Sequence, residues 1–151
     1  MNKENSTNKW IDRVELVGKC YRLLLDEQPQ TQKNASGLCE AEGARLVVLE
    51  NEEEHNIVAE ITEGVGDGYG FWTDYTRESN EDLFQTSDKE TIHEVGYQKW
   101  SKELNLQDFA RQWYMGIMLT PDECMYNIMK DVKTCFALCE KSISMEKIGL
   151  V

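Results

Sequence analysis

Five cysteines are the side chains of this chain best suited to chemistry. Zinc sites built from cysteine usually contain close pairs such as C-x2-C. Here the closest pair has three residues between its members, and the histidines, His55 and His93, lie far from it in the sequence. We therefore expect disulfide bonds rather than a zinc site, and the odd number leaves at least one cysteine without an intramolecular partner. The five are Cys20, Cys39, Cys124, Cys135 and Cys139.

Patterns typical of enzymes are missing from the sequence. A cysteine nucleophile would need a histidine beside it, and nothing brings His55 or His93 to a cysteine. The alternating glycines from Gly64 to Gly70 are not followed by the Gly-Lys-Ser/Thr of a phosphate-binding loop, and there is no serine elbow. The sequence therefore predicts a binding protein and not an enzyme.

The charge of the chain excludes two classes of partner. Its 151 residues carry a formal net charge of −12 at pH 7, with a pI of about 4.6. Such a surface repels phosphate backbones and anionic headgroups, so we expect neither nucleic acid nor a membrane surface as a partner. No apolar run is long enough for a membrane span. Residues 1–19 lack the apolar core of a signal peptide, so a secreted form would be a mature one.

Capping residues predict two helices in the first half of the chain. Thr31 is placed to cap a helix over 31–42, and Gly43 would end it in a left-handed conformation. Asn51 is placed to cap a second helix, with Glu54 completing the capping arrangement. Predicted strands follow mainly in the second half, after a polar stretch from 78 to 109 with little periodicity. Helices early and strands late indicate an α+β fold. The strands are predicted over 20–25, 45–49, 71–75, 113–119, 124–129 and 132–139.

Six short segments, in this order, resemble the C-type lectin-like domains. The resemblance covers about residues 10–141, which leaves polar tails over 1–9 and 142–151. It implies an α+β fold with two helices packed on small antiparallel sheets, a long irregular ligand-binding loop and disulfide bonds. The segments are Cys20-Tyr21, the Ala-x3-Cys-x3-Gly-Ala-x-Leu pattern from Ala35 to Leu46, Asn51 to Glu54, Phe71-Trp72-Thr73, Phe84 to Ile92 with Tyr97 and Trp100, and Phe136 to Lys141.

The resemblance also implies a pairing of the cysteines. In this family a cysteine of the first helix pairs with the last cysteine, which here means Cys39 with Cys139. Such a bond closes a loop of about 100 residues, for which the chain-entropy model gives about 4.7 kcal/mol of stabilisation. The second family bond would join Cys124 to Cys135, although Cys135 lies closer to Cys139 than the family pattern has it.

Cys20 lacks the upstream partner that longer family members provide. Three outcomes stay open for it. It is a buried free thiol, or it bridges to a second chain in a disulfide-linked dimer, or its partner lies in a segment that has been removed.

Sugar-binding members of the family hold calcium in the long loop with a Glu-Pro-Asn motif and further carboxylates. The resemblance therefore implies four ligands for calcium and carbohydrate: Glu103, Asn105, Asp122 and Asp131. Leu104 replaces the cis proline, and a cis bond before a non-proline residue costs about 2.5–4 kcal/mol, so we expect weak or altered calcium dependence. Calcium takes six to eight oxygens. The alternative is that the four residues are solvated loop residues.

The resemblance implies a secreted, extracellular recognition domain that binds glycans, of the innate defence or adhesion type. Two N-glycosylation sequons, at Asn5 and Asn34, agree with an extracellular address. The alternative function is a calcium-independent module that binds a protein, or a secreted inhibitor-type subunit. In that case Phe109, Trp113 and Tyr114 would form the contact patch, unless they are core residues.

Overall fold

A computed structural model of the chain describes residues 10–24, 28–62, 70–78, 82–95, 97, 116–119, 125–128 and 135–142. Within these residues the chain forms seven strands and four helices. None of the helices in this part of the chain is long and apolar enough to cross a membrane. The strands are β1 (Ile11–Arg13), β2 (Lys19–Leu24), β3 (Arg45–Leu46), β4 (Gly70–Thr76), β5 (Gly116–Leu119), β6 (Met125–Ile128) and β7 (Cys135–Ser142). The helices are α1 (Val14–Val17), α2 (Gln32–Glu40), α3 (Glu52–Thr62) and α4 (Ile92–Val95).

Strand β7 organises the sheet, whose order is β1-β2-β7-β4-β5-β6. One edge of β7 pairs antiparallel with the whole of β2. Its other edge is shared, since Cys135–Ala137 pair parallel with β4 and Cys139–Glu140 pair antiparallel with β3. The remaining strand pairs are antiparallel. A strand hydrogen-bonded on both edges and buried from residue 135 to 140 lies at the centre of the fold.

The two longer helices begin as their capping residues predict, and the first of them ends as Gly43 predicts. Thr31 Oγ1 accepts a hydrogen bond from the Asn34 amide at 3.2 Å, and Gly43 has a φ of +71°, the left-handed conformation expected beyond a helix end. Asn51 Oδ1 accepts from the Glu54 amide at 2.9 Å. The reciprocal half of that second cap is shifted by one residue, because the Glu54 side chain accepts from the Glu50 amide at 3.4 Å and not from that of Asn51. The same carboxylate also binds a lysine described below.

Alternation along β7 divides the core into two clusters, as expected of a strand whose successive side chains point to opposite faces. One cluster packs Phe136 and Leu138 against β2, β4 and α3. The other surrounds the Cys39–Cys139 disulfide, which joins α2 to β7 with a Cα–Cα distance of 5.4 Å. The bond that the resemblance implies is therefore confirmed.

Cys20 lies on an inner strand of the sheet. β1 pairs with β2 through Ile11–Tyr21, so β2 lies inside the sheet between β1 and β7. Cys20 is 5% exposed and has no disulfide partner among the described residues. Burial, with a further contribution from Asp12, raises the pKa of its thiol. The fold therefore favours the buried free thiol over a bridge to a second chain.

Candidate functional site

The residues predicted to bind calcium and carbohydrate lie outside the described part of the chain, so the site itself stays a prediction. These residues are Glu103, Asn105, Asp122 and Asp131. Cys124 and Asn5 also lie outside it, which leaves the second disulfide bond and the first sequon as predictions. Cys135 is fully buried on β7. Asn34 is exposed in the first turn of α2, where a glycan would point to solvent.

The strands next to these residues determine where each connecting segment starts. Glu103 and Asn105 belong to the segment that enters β5 at Gly116, and Asp131 belongs to the segment that leaves β6 at Ile128. Gly116 and Ile128 are paired residues, so the first segment ends and the second begins at the same end of the hairpin.

Asp122 belongs to a segment at the other end of that hairpin. It follows β5 at Leu119, which pairs with Met125. Three strand residues, or about 10 Å, separate this end from Gly116.

A segment held to β4 by hydrogen bonds precedes the predicted calcium-binding residues in the sequence. The carboxylate of Asp74 on β4 accepts hydrogen bonds from the Ser87 amide at 2.9 Å and from Ser87 Oγ at 2.7 Å. Asp74 is 3% exposed, and burial raises its pKa, against the opposing effect of the Ser87 hydrogen bonds. Tyr97 then packs on the core just before residue 98. The polar stretch from 78 to 109, expected to be irregular, thus contains a segment that the hydrogen bonds between Asp74 and Ser87 hold against β4. This contact leaves no periodic pattern in the sequence.

A buried cluster of charges joins β2, α3 and β7. Lys19 Nζ lies 2.6 Å from Glu50 Oε1, 2.9 Å from Glu54 Oε1 and 3.1 Å from Glu140 Oε2. The side chains of Lys19, Glu54 and Glu140 are 5%, 3% and 1% exposed, whereas that of Glu50 is 48% exposed. Three carboxylates thus converge on one ammonium group, two of them out of contact with water.

Glu140 connects this cluster to the rest of the sheet. Its Oε1 accepts from the Val48 amide at 2.8 Å, and its Oε2 accepts from Arg45 Nε at 3.2 Å. Burial raises the pKa of Glu140, against the attraction of Lys19 and the hydrogen bond from Val48. Glu54 has fewer donors: apart from Lys19, the Glu50 amide lies 3.4 Å from its Oε2.

The electrostatics of the cluster follow from its burial. Burial raises the pKa of Glu54 to about 7, against the attraction of Lys19. For Lys19, burial opposes the charged form, but the attraction of Glu140, Glu50 and Glu54 outweighs it and the pKa is raised. Lys19 therefore stays protonated at neutral pH, while Glu54 titrates there.

Sequence reasoning missed this cluster, although a signal for it was present. Lys19, Tyr21 and Leu23 alternate on one buried face of β2, so a period of two places a lysine among core residues. On α3, Glu54 precedes Ile57 and Val58 by three and four residues, which places it on the apolar stripe. A lysine and a glutamate on two buried faces predict a buried ion pair, because neither is found buried without a partner.

The described residues contain no group of three or more histidine, cysteine or acidic side chains arranged to hold a metal ion. Among Glu50, Glu54 and Glu140, the place that a cation would take is filled by the ammonium group of Lys19.

Comparison with known proteins agrees with this architecture. A family model described as the Lectin C-type domain matches residues 28–141. The carbohydrate-recognition domain of mouse scavenger receptor C-type lectin is 19% identical and superposes with a TM-score of 0.70, over 89% of this chain and 94% of that one. The corresponding domain of cow CD23, solved in the presence of a GlcNAc2Man3 oligosaccharide, is 19% identical with a TM-score of 0.69, over 89% and 94%.

A third structure with this fold is a calcium-independent type II antifreeze protein. It is 15% identical to the chain, with a TM-score of 0.67, and the match covers 88% of this chain and 91% of that one. No curated protein sequence matches the chain. The structural matches confirm the predicted α+β fold of the C-type lectin-like type.

Proposed function

The chain belongs to the C-type lectin domain family, and on that premise we propose that it is an extracellular recognition domain that binds glycans through Glu103, Asn105, Asp122 and Asp131. The observation that carries this proposal is the family match over residues 28–141, which includes all four residues. The structural match to cow CD23, crystallised with an oligosaccharide, supports the choice of glycans as ligands.

Weak calcium binding follows from the composition of the predicted site. Calcium takes six to eight oxygen ligands, and four residues supply them here. Leu104 separates Glu103 from Asn105, and a cis bond before leucine is unfavourable by about 2–3 kcal/mol more than a cis bond before proline. We infer that glycan binding by this loop has a weak or altered dependence on calcium.

The extracellular address is supported by the disulfide bond between Cys39 and Cys139. Bonds of this kind persist in oxidising compartments and are rare in the cytosol. The exposed Asn34, which begins the second sequon, is consistent with an extracellular location. A glycan-binding domain outside the cell suits a role in innate defence, and the protein would then be secreted and glycosylated.

The alternative function is recognition of a protein without calcium, by a binding module or a secreted inhibitor-type subunit. The structural match to a calcium-independent type II antifreeze protein supports the calcium-independent part of this alternative. Phe109, Trp113 and Tyr114 would supply aromatic contacts.

Retention on mannose-agarose in calcium and in EDTA separates the two functions, and Leu104→Pro sharpens the test. Restoring proline removes about 2–3 kcal/mol of cis penalty, so calcium affinity should rise roughly 30- to 140-fold. Leu106→Pro is the matched control, since it places a proline in the same loop but not between Glu103 and Asn105. If Leu104→Pro behaves like Leu106→Pro in calcium titration and in mannose retention, the loop is not a calcium site and the alternative stands.

A further inference from the structure

A polar cleft of about 390 Å³ lies at the carboxyl end of β4. It includes none of the residues proposed to bind calcium; the residues that line it are Thr76, Arg77, Glu78, Asp82, Leu83, Gln85, Thr86, Lys89 and Thr91. Cavities of roughly 300–1,000 Å³ are typical of small-molecule sites. The cleft is at the lower end of that range, which suits a ligand of one or two sugar rings.

The floor of the cleft is a row of three neutral side chains on a rigid backbone. The Thr76 amide donates to the Gln85 carbonyl at 3.0 Å, and the Gln85 amide donates to the Thr76 carbonyl at 2.9 Å. Gln85 also forms an antiparallel bridge with Thr91. Side chains directly opposite each other on paired strands are about 5 Å apart. Since Thr76, Gln85 and Thr91 all line the cleft, their hydroxyl, amide and hydroxyl groups form a row.

This row can exchange several hydrogen bonds with a polyol. A threonine hydroxyl both donates and accepts, and a glutamine amide supplies two donors and an acceptor. Thr91 Oγ1 accepts from the Glu94 amide at 3.2 Å, which fixes the oxygen and leaves its proton to donate outward. The distance between neighbours in the row is comparable with the width of a pyranose ring.

Charged residues line the walls of the cleft in balance. Arg77 and Lys89 are matched by Glu78 and Asp82, so the lining has no net charge. Arg77 is 6% exposed, and its guanidinium lies 4.5 Å from the centroid of the Phe84 ring, which holds it in place. A lining without net charge favours a neutral ligand over a phosphate, a sulfate or a carboxylate.

Lys89 and Leu83 complete the lining. Lys89 has a φ of 69°, a left-handed conformation in which glycine would be unstrained and lysine is uncommon. Lys89 thus places a long cationic side chain at the cleft in a backbone conformation that lysine rarely adopts. Leu83 is 50% exposed at the cleft and offers an apolar surface to the C–H face of a sugar ring.

We propose that this cleft is a second binding site, independent of calcium, for a neutral mono- or disaccharide held by the Thr76–Gln85–Thr91 row. The proposal does not rest on the calcium loop, because no residue between 103 and 131 takes part. A glycan with two epitopes would then engage the domain at two places.

The test is a titration of the ¹⁵N-labelled chain in EDTA with the neutral methyl glycosides of mannose, galactose, glucose, fucose and N-acetylglucosamine. We expect at least one of them to shift the amide signals of Thr76, Gln85 and Thr91. Gln85→Ala removes the central hydrogen bonds of the row and should weaken binding about tenfold. Gln28→Ala, which replaces an exposed glutamine outside the cleft, should bind like the wild type. The spectrum of each variant shows directly that it is folded.

Three results would overturn the proposal: no cleft signal moves with any of the five sugars, Gln85→Ala binds as well as Gln28→Ala, or the shifts require calcium and vanish in Asn105→Ala. The last result would leave the calcium-loop function standing. Conversely, cleft binding in EDTA that survives Asn105→Ala would support the second site whatever the loop does.

Discussion

Replacing Lys19 by methionine tests whether the buried ammonium holds the cluster of carboxylates together. Methionine keeps an unbranched apolar side chain in the core and removes the charge. Breaking a buried ion pair by deleting one partner costs about 3–5 kcal/mol, because the other charge is left uncompensated. For a domain of this size that lowers the melting temperature by roughly 6–20 °C.

The structure identifies which carboxylate bears this cost. Glu50 is half exposed and keeps its water. Glu140 keeps Arg45 and the Val48 amide. Glu54 keeps only the Glu50 amide, at 3.4 Å. The double variant Lys19→Met/Glu54→Gln should therefore be clearly more stable than Lys19→Met alone, because the carboxylate without a partner is gone.

Urea unfolding at pH 8 and at pH 5 measures both effects. The loss in Lys19→Met should be larger at pH 8, where Glu54 is ionised, than at pH 5, where it takes up a proton and needs no counter-ion. Arg22→Met is the matched control, because Arg22 lies on β2 like Lys19 and pairs with Glu42, but its side chain is 25% exposed. Pairs that are open to solvent contribute at most about 1 kcal/mol. The reasoning is refuted if Lys19→Met costs no more than Arg22→Met, or if Glu54→Gln does not recover stability in its background.

Three further predictions concern titration and the cysteines. The folded pKa of Glu54, about 7, lies above its ordinary value of 4.5, so the folded state binds the proton more tightly. The free energy of unfolding should thus fall by about 3 kcal/mol as pH rises from 4.5 to 7. Urea unfolding across this pH range measures the fall, and the prediction is contradicted if Glu54→Gln shows the same dependence on pH as the wild type. Cys39→Ser opens the disulfide loop of 100 residues and should cost about 2–5 kcal/mol, measured by unfolding; free Cys39 in non-reducing peptide maps of the wild type would contradict the bond. Cys20 should resist alkylation in the native state, and both the wild-type protein and Cys20→Ser should run as monomers on non-reducing gels. A covalent dimer of the wild type that is lost in Cys20→Ser would show that burial does not protect the thiol.

Local signals predicted the two longer helices and most strands because their causes are local. The Thr31 cap, the left-handed Gly43 and the Asn51 cap each act within a few residues. The Cys39–Cys139 bond was predicted only through the resemblance to a family, since five cysteines allow many pairings. Lys19 and Glu140 are 121 residues apart in the sequence, and no spacing rule connects them. Their pairing depends on the sheet register, which only the folded chain defines.

The cleft was not predicted for the same reason. Thr76, Gln85 and Thr91 are unremarkable threonine and glutamine residues in a polar stretch, and two backbone bridges make them neighbours. The calcium ligands were predicted from motif similarity alone, and the described structure shows only which strands flank the segments that contain them. Sites made of contiguous motifs are thus visible in the sequence, whereas sites made by strand pairing are not.

The central position of β7 has a consequence for how the protein is made. β7 is the last described strand in sequence, yet β2, β3 and β4 all pair with it, and it carries Cys139. During synthesis on a ribosome, β2 emerges more than a hundred residues before the strand that covers its inner edge. We therefore expect the nascent chain to stay without its native sheet until residue 142 has left the exit tunnel. A chaperone would have to shield the Tyr21 and Leu23 face of β2 until then, and oxidation of Cys39 before Cys139 emerges would trap a wrong pair.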